Sequence, residues 1–377
     1  MHTTLHLLAE APPQMLPARS LMAFTLASHI ILVPMGVALP LITLIMHGYG
    51  LRRGDATALL LARRWSAVMA VQFAIGVVTG TVLSFEFGLL WPGLMGRWGD
   101  VFGIGFGVEA WAFFLEAVLI AIYLYGWRRL PARTHFLLGL PLPVTALLGA
   151  FGILAANSWM QHPVGYRINE ERGRAELTDF WLVLTQNTAL TQFFHTITAA
   201  FLVGGAFMAG ISAFHLARKK HIPVMRSSLR LGLIVLIIAG TGTAISGDLL
   251  GKVMFKQQPM KMAAAEALWD GEAPAPFSVF AYGDVEKGHN KVAIEIPGLL
   301  SFLANDDFTS FVPGINDVNK AEQEKFGPGD YRPNIPVAYW GFRWMIGFGM
   351  ASLGVGVLGL WLTRKKFMLP AGLRTGE

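Results

Sequence analysis

With 377 residues, of which 54% are hydrophobic and 14% charged, and a mean hydropathy of +0.50, the chain is a polytopic membrane protein rather than a soluble domain with a large core. The formal charge of +6 comes from basic residues clustered in short segments between apolar runs, which reports membrane orientation and excludes a nucleic-acid-binding role. Cysteine is absent, which excludes disulfides, thiolate-ligated iron–sulfur clusters and covalently attached c-type haem. A bound metal would need His, Met, Glu or Asp.

In chain order, residues 1–18 contain Pro12, Pro13 and Pro17 and no basic n-region, so they do not read as a cleaved signal, and the first span serves as the insertion signal. Seven apolar spans are predicted, at about 21–47, 65–90, 102–126, 136–160, 187–216, 229–250 and 337–362. The expected fold is an all-α transmembrane bundle. Arg52, Arg53, Arg63, Arg64, Arg128, Arg129, Arg133, Arg218, Lys219, Lys220, Arg226, Arg230, Arg364, Lys365 and Lys366 all fall on one side, which the positive-inside rule makes cytoplasmic. The N-terminus and the loop 251–336 are then outside, and the C-terminus is cytoplasmic. The chain divides on this reading into 1–250 with six spans, the outer loop 251–336, and 337–377 with the last span and tail.

Span one carries His29 in TLASHIILVPMG, with Arg19 ten residues earlier. Span three carries two carboxylates, Glu109 and Glu116, which at seven residues apart share one helical face. Such acids hydrate near an interface, or they serve a proton path or a charged prosthetic group. Span five carries His195, and span seven carries Met345 beside Arg343, whose cation inside a span asks for an anion such as a haem propionate. Each of these residues has an ordinary packing explanation when taken singly. Together, alternating spans bring His29, His195, Met345 and Glu109 toward the outer leaflet, and His/Met is an axial pair for low-spin haem.

The remaining histidines read differently. His47, His135, His215 and His221 at cytoplasmic ends, and His2, His6 and His289 in polar segments, are expected to be solvated. His162 is open to either reading. In the outer loop, Lys261 and Glu266 bracket a short amphipathic run that closes over a small amphiphile or forms a solvated surface helix. The Pro- and Gly-bearing segments after it are expected to be an ordered cap with little regular structure.

Several long and unusual runs resemble subunit I of the cytochrome bd family of respiratory quinol oxidases, over about residues 15–366. They are HIILVPM around His29, GDVFGIGFGVEAWAFFLEA around the two acids, ILAANSWMQHP at 153–163, FFHT at 193–196, QQPMKMAAAEALW at 257–269 and FRWM at 342–345. The resemblance implies His195 and Met345 as axial ligands of a low-spin haem b, with Arg343 at its propionates. It implies His29 as ligand of one of two high-spin haems, a haem b and a haem d, with Glu109 there as ligand or proton donor and Glu116 on the proton route. Lys261 and Glu266 match the residues of quinol binding and oxidation, and Arg19 and Asn157 match polar residues lining the haem region.

The implied activity is oxidation of membrane quinol with reduction of dioxygen to water, in a bacterial cytoplasmic membrane. The implied partner is a homologous subunit II, and small accessory subunits are admitted. The alternative is a membrane haem b electron-transfer cytochrome, or an incomplete oxidase fragment without the oxygen-reducing site. A haem-free proton-coupled transporter would also place acids in spans, but it gives His29, His195 and Met345 no reason to share a depth. The chain departs from the family pattern in three ways. The two acids are seven apart where eight is more usual; seven spans are seen where the family has nine, which reads as a truncated or short member; and the loop is short, as in the compact-loop branch.

Overall fold

The computed structural model describes residues 14–364. His2, His6, Lys365, Lys366 and the tail lie outside the described residues. Among the described residues, seven stretches are helical, long and apolar enough to cross a membrane, and they coincide with the seven predicted spans.

Contacts divide the chain into two compact units. The first contains α1 (Met15–Arg53), α2 (Ala56–Leu90), α3 (Pro92–Gly126), α4 (Ala132–Gly139), α5 (Pro141–Gln161) as far as Ile153, and the hairpin β1 (Tyr166–Asn169) and β2 (Arg174–Leu177). Gly54 closes α1 in the left-handed region at φ 64°. Asp55 then caps α2, its carboxylate accepting from the Thr57 and Ala58 N–H groups at 2.8 and 3.1 Å. A left-handed glycine followed directly by an acidic N-cap reverses the chain in one step, which is why α1 and α2 pack as an antiparallel pair. The β1–β2 hairpin sits on the start of α3 through the Arg174–Asp100 ion pair at 3.3 Å and Trp98 edge-on to Tyr166.

The second unit contains the last turns of α5 from Leu154, α6 (Phe180–Thr185) from Trp181 on, α7 (Asn187–Ala217), α8 (Ile222–Gln257), α9 (Pro259–Glu266), the hairpin β3 (Phe277–Asp284) and β4 (His289–Ile296), α10 (Leu299–Asn305), α11 (Ile315–Phe326) and α12 (Ile335–Leu362). Its axis is α8, whose 36 residues span about 54 Å, longer than a bilayer core is thick. Helix α12 packs along α8 through small residues: Gly240 meets Leu353, Gly356 meets Leu236 and Ile237, and Gly359 meets Leu233. Close approach at glycine is how apolar helices gain contact when lipid and protein are equally apolar.

Two expectations are corrected. The segment after α9 is not poor in regular structure: it holds two helices and an antiparallel hairpin whose register slips at Ser278/Phe280 and Tyr282/Gly283. It is ordered by its own core, with Met260, Ala263, Ala264, Trp269, Ile315, Val318 and Ile335 packed together. His47 and His135 are buried rather than solvated. The short helix α4 folds back on α1 and α3 and covers the two rings, and Tyr123 of α3 supplies the hydrogen bonds that water was expected to supply. His47 Nδ1 lies 2.9 Å from the Tyr123 hydroxyl, and His135 Nε2 donates to the Tyr123 carbonyl at 2.7 Å. His221 and His289 are exposed, as expected, and His215 is half-buried. His162 bonds Gln186 at 3.0 Å.

Candidate functional site

Each of the two candidate ligand histidines lies against a neighbouring helix of its own unit. In the first unit, His29 of α1 faces α2, with Nδ1 2.8 Å from Thr79 Oγ1. Arg19, ten residues earlier in α1, is exposed. In the second unit, His195 of α7 faces α8. Its Nδ1 is 3.4 Å from Ser246 Oγ, and its ring also hydrogen-bonds the Thr243 backbone.

Glu109 and Glu116 are half-buried on α3, seven residues and about 10.5 Å apart along its axis. The same interval beyond Glu116 reaches Tyr123, so one face of α3 carries two carboxyls and the hydroxyl that meets His47. A third intramembrane acid was missed in reading the sequence. Glu86, in SFEFGLL of α2, is 6% exposed, takes a hydrogen bond from Thr25 Oγ1 at 2.7 Å, and has no partner for Oε2 among the described residues. The signal was available, because an acid inside an apolar run is the same rule that picked out Glu109.

Met345 is placed by the α8–α12 register. Those contacts pair Leu353 with Gly240 and run antiparallel, so eight residues back along α12 matches about eight residues forward along α8, at Gly247 and Asp248. Gly247 is also the residue against which the His195 ring rests: a Cβ there would come within 3.1 Å of Cε1. Met345 shares a helical stripe, to within about 20°, with Gly356 eleven residues later, yet 51% of its surface is exposed. An imidazole and an accessible thioether therefore stand at one level of α8, on two different helices packed against it.

Two residues before Met345, Arg343 has its side chain largely covered and engaged by protein groups. Its Nη2 meets Glu266 Oε2 at 2.6 Å, its Nε donates to the Ser278 carbonyl at 2.8 Å, and its guanidinium stacks over Phe277 and Tyr339. Burial pushes the Glu266 carboxyl above its ordinary range, and the Arg343 guanidinium opposes that shift. In the structure an anion stands beside Arg343: Glu266, at the end of α9.

Lys261, also on α9, has no carboxylate against it among the described residues. Its ammonium donates to Gln161 Oε1 at 3.1 Å. Gln161 Nε2 donates to Asn157 Oδ1 at 2.7 Å, Gln192 Nε2 donates to the same oxygen at 2.7 Å, and Ser158 Oγ donates to Gln192 Oε1 at 2.6 Å. Gln258 adds a bond to the Gln161 carbonyl at 2.6 Å. Lys261 is solvent-accessible but crowded by protein on one side, and this desolvation lowers its pKa below that of a free lysine. Gln161 and Gln192 were not singled out in the sequence, although Gln161 lies inside the matched run ILAANSWMQHP.

These residues fit haem better than a side-chain metal cage. Among the described residues, no three of His, Asp or Glu converge as a metal-binding group. The donors come instead as single histidines, each seated on a glycine, and one accessible thioether, which is the donor set of axial ligation.

Comparison with known proteins agrees with this chemistry. The family model for cytochrome bd terminal oxidase subunit I matches residues 17–375. The chain is 37% identical over 351 residues to cytochrome bd ubiquinol oxidase subunit 1 of Bacillus subtilis (strain 168), covering 93% of this chain and 75% of that protein. It is 31% identical over 343 residues to cytochrome bd-II ubiquinol oxidase subunit 1 of Escherichia coli (strain K12), covering 87% and 67%. The solved structure of bd oxidase from Geobacillus thermodenitrificans superposes with a TM-score of 0.84 at 31% identity, covering 93% of this chain and 80% of that one.

Proposed function

Because the chain belongs to the cytochrome bd terminal oxidase subunit I family, we propose that it oxidises membrane quinol and passes the electrons through haem to dioxygen, as one subunit of a terminal oxidase. The observation that carries this reading is the Arg343–Glu266 contact. It joins the loop helix bearing Lys261 to the span bearing Met345, so a quinol at the loop would be oxidised beside a haem ligand.

On this reading His195 and Met345 hold a low-spin haem b, and His29 with Glu109 serves the high-spin haem b and haem d. Haem, when bound, supplies the one-electron carriers and the iron at which oxygen is reduced. The remaining work falls to the chain. Lys261, with its lowered pKa, donates a hydrogen bond to a quinol oxygen. Glu266, pushed up by burial, takes a proton at a pH where an ordinary carboxyl would not. Arg343 keeps that carboxyl in place through a charge-assisted bond.

The clustering of Lys and Arg puts Lys261 and Glu266 on the outer face of a bacterial cytoplasmic membrane, so quinol protons leave outward. Glu116 and Glu109 then carry protons inward to the oxygen site along one face of α3. Arg19 and Asn157 line the haem region. A homologous subunit II completes the complex, with small accessory subunits admitted.

The test is a reduced-minus-oxidised visible spectrum of the purified complex, with and without carbon monoxide, beside a His195→Ala variant. The reading expects a low-spin haem b that the variant loses and a far-red band sensitive to carbon monoxide. Low-spin haem without the far-red band would reduce the function to electron transfer. Protein free of haem would overturn it.

A further inference from the structure

His29 and His195 lie in different units, on helices of unrelated sequence, yet their neighbours hold them in the same way. Against His29 stands the dipeptide Thr79-Gly80: the Thr79 hydroxyl is 2.8 Å from Nδ1, and a Cβ on Gly80 would come within 3.2 Å of Cε1. Against His195 stands Ser246-Gly247: the Ser246 hydroxyl is 3.4 Å from Nδ1, and a Cβ on Gly247 would come within 3.1 Å of Cε1. In both places a hydroxyl meets Nδ1, and the glycine after it admits the edge of the ring.

The direction of the hydrogen bond follows from where each hydroxyl proton goes. Thr79 Oγ1 lies 3.1 Å from the Ile75 carbonyl and 3.3 Å from the Gly76 carbonyl, and a carbonyl can only accept. The single Thr79 proton has acceptors on its own helix, which frees a lone pair for His29. Ser246 Oγ lies 2.7 Å from the Gly242 carbonyl, so its proton has an acceptor in the same way. The nearby Thr198 hydroxyl, 3.1 Å from Ser246 Oγ, has the Phe194 and His195 carbonyls for its own proton. Both hydroxyls are thereby able to accept from Nδ1–H. In a neutral imidazole this leaves the lone pair on Nε2.

We propose that Thr79 and Ser246 are positioning residues that fix His29 and His195 as Nδ1–H tautomers, presenting Nε2 to haem iron. The proposal rests on the reading of these two histidines as haem ligands. The two hydroxyls differ in grip. Thr79 bonds at 2.8 Å, whereas Ser246 at 3.4 Å shares the His195 ring with the Thr243 backbone, so removing Thr79 has the larger effect. Because a partner on Nδ1–H makes the imidazole a stronger donor to metal, removing it weakens ligation and disfavours the oxidised iron.

The test compares Thr79→Val and Ser246→Ala with the unaltered complex, using haem content, redox titration of the low-spin haem, and the iron–histidine stretching band of the reduced high-spin haem in resonance Raman spectra. Thr79→Val is expected to weaken haem retention about tenfold and to lower the iron–histidine frequency. Ser246→Ala is expected to raise the low-spin midpoint potential with haem retained. Thr79→Ser, which keeps the hydroxyl, is expected to restore the parental band, and Thr79→Ala gives the same readout should the valine variant not assemble. Unchanged stretching frequency and unchanged midpoint in the hydroxyl-free variants would overturn the proposal. Full haem content in His29→Ala and His195→Ala would instead overturn the ligand reading on which it rests.

Discussion

Arg343 on α12 and Glu266 at the end of α9 meet at 2.6 Å with 9% and 3% of their side chains exposed, so the span that carries Met345 and the loop helix that carries Lys261 are joined by a buried ion pair. Removing one partner of such a pair leaves a bare charge and costs about 3–5 kcal/mol, whereas removing both costs much less. Arg343→Leu is therefore expected to lower the thermal midpoint strongly, and Glu266→Leu/Arg343→Leu is expected to recover most of the loss. Tryptophan fluorescence on heating the complex checks this. Equal losses for the single and double variants would show that the pair does not couple.

The same carboxyl sets a pH dependence. Burial raises Glu266 above its ordinary value, so in the interval between the two the folded chain holds a proton that the unfolded chain has released. Its contribution to stability is then full below the unfolded value and declines as pH rises through the folded one. The thermal midpoint is expected to fall with rising pH over that interval, and Glu266→Gln is expected to flatten the slope. A midpoint that rises there in the parent, or an unaltered slope in the variant, contradicts the assignment.

Gln161 is the acceptor for the Lys261 ammonium. Gln161→Leu removes a partner of the charged form, so the lysine loses its proton at still lower pH. If Lys261 contacts quinol, KM for quinol is expected to rise about tenfold, the scale of one hydrogen bond to a charged group, with kcat little changed. The alkaline limb of the KM profile is expected to move to lower pH. Steady-state oxidation of a soluble quinol across pH reads both quantities.

Tyr123→Phe deletes the hydroxyl that meets His47 Nδ1 at 2.9 Å and leaves a buried ring nitrogen without that partner. The expected loss of stability is about 1–3 kcal/mol. His47→Phe on the Tyr123→Phe background should restore part of it, because a buried apolar pair leaves neither group unpaired. A thermal-melt cycle over the four proteins tests this.

Glu86→Leu is expected to behave in the opposite way. Thr25 Oγ1 already lies 3.0 Å from the Leu21 carbonyl, so losing Glu86 leaves it satisfied and removes an acid whose second oxygen has no partner among the described residues. The thermal midpoint is expected to stay level or rise. Turnover measured on the same protein then shows what the acid is kept for, and a fall in stability of more than about 1 kcal/mol would contradict the hydrogen-bond account.

The seven spans were legible because a run of eighteen or more apolar residues has few structural alternatives. The histidines at span ends were less so: solvation at His47 depends on whether something covers it, and α4, which does, arrives from some 88 residues further along the chain. Arg343 announced that it needed an anion, but Glu266 lies 77 residues away in sequence, and no local pattern records that meeting. The β3–β4 hairpin was readable in principle. FSVFAYGD and HNKVAIEI flank a short polar turn, but the surrounding Pro and Gly residues suggested irregular chain. The Lys261 network was not readable, since amides carry no periodicity and their partners are set by how α5 and α7 approach each other.

Arg343 also constrains how the protein is made. A guanidinium costs up to about 2.5–3.5 kcal/mol on insertion, the figure for the centre of a span; Arg343 lies in the first third of α12, and its compensating carboxylate is in the segment translated just before it. If the loop is already folded when α12 leaves the translocon, the cation meets its counter-ion as it partitions; if not, the segment hesitates at the interface. Insertion of the last span is therefore expected to be less efficient when Glu266, in the loop before it, is replaced by leucine.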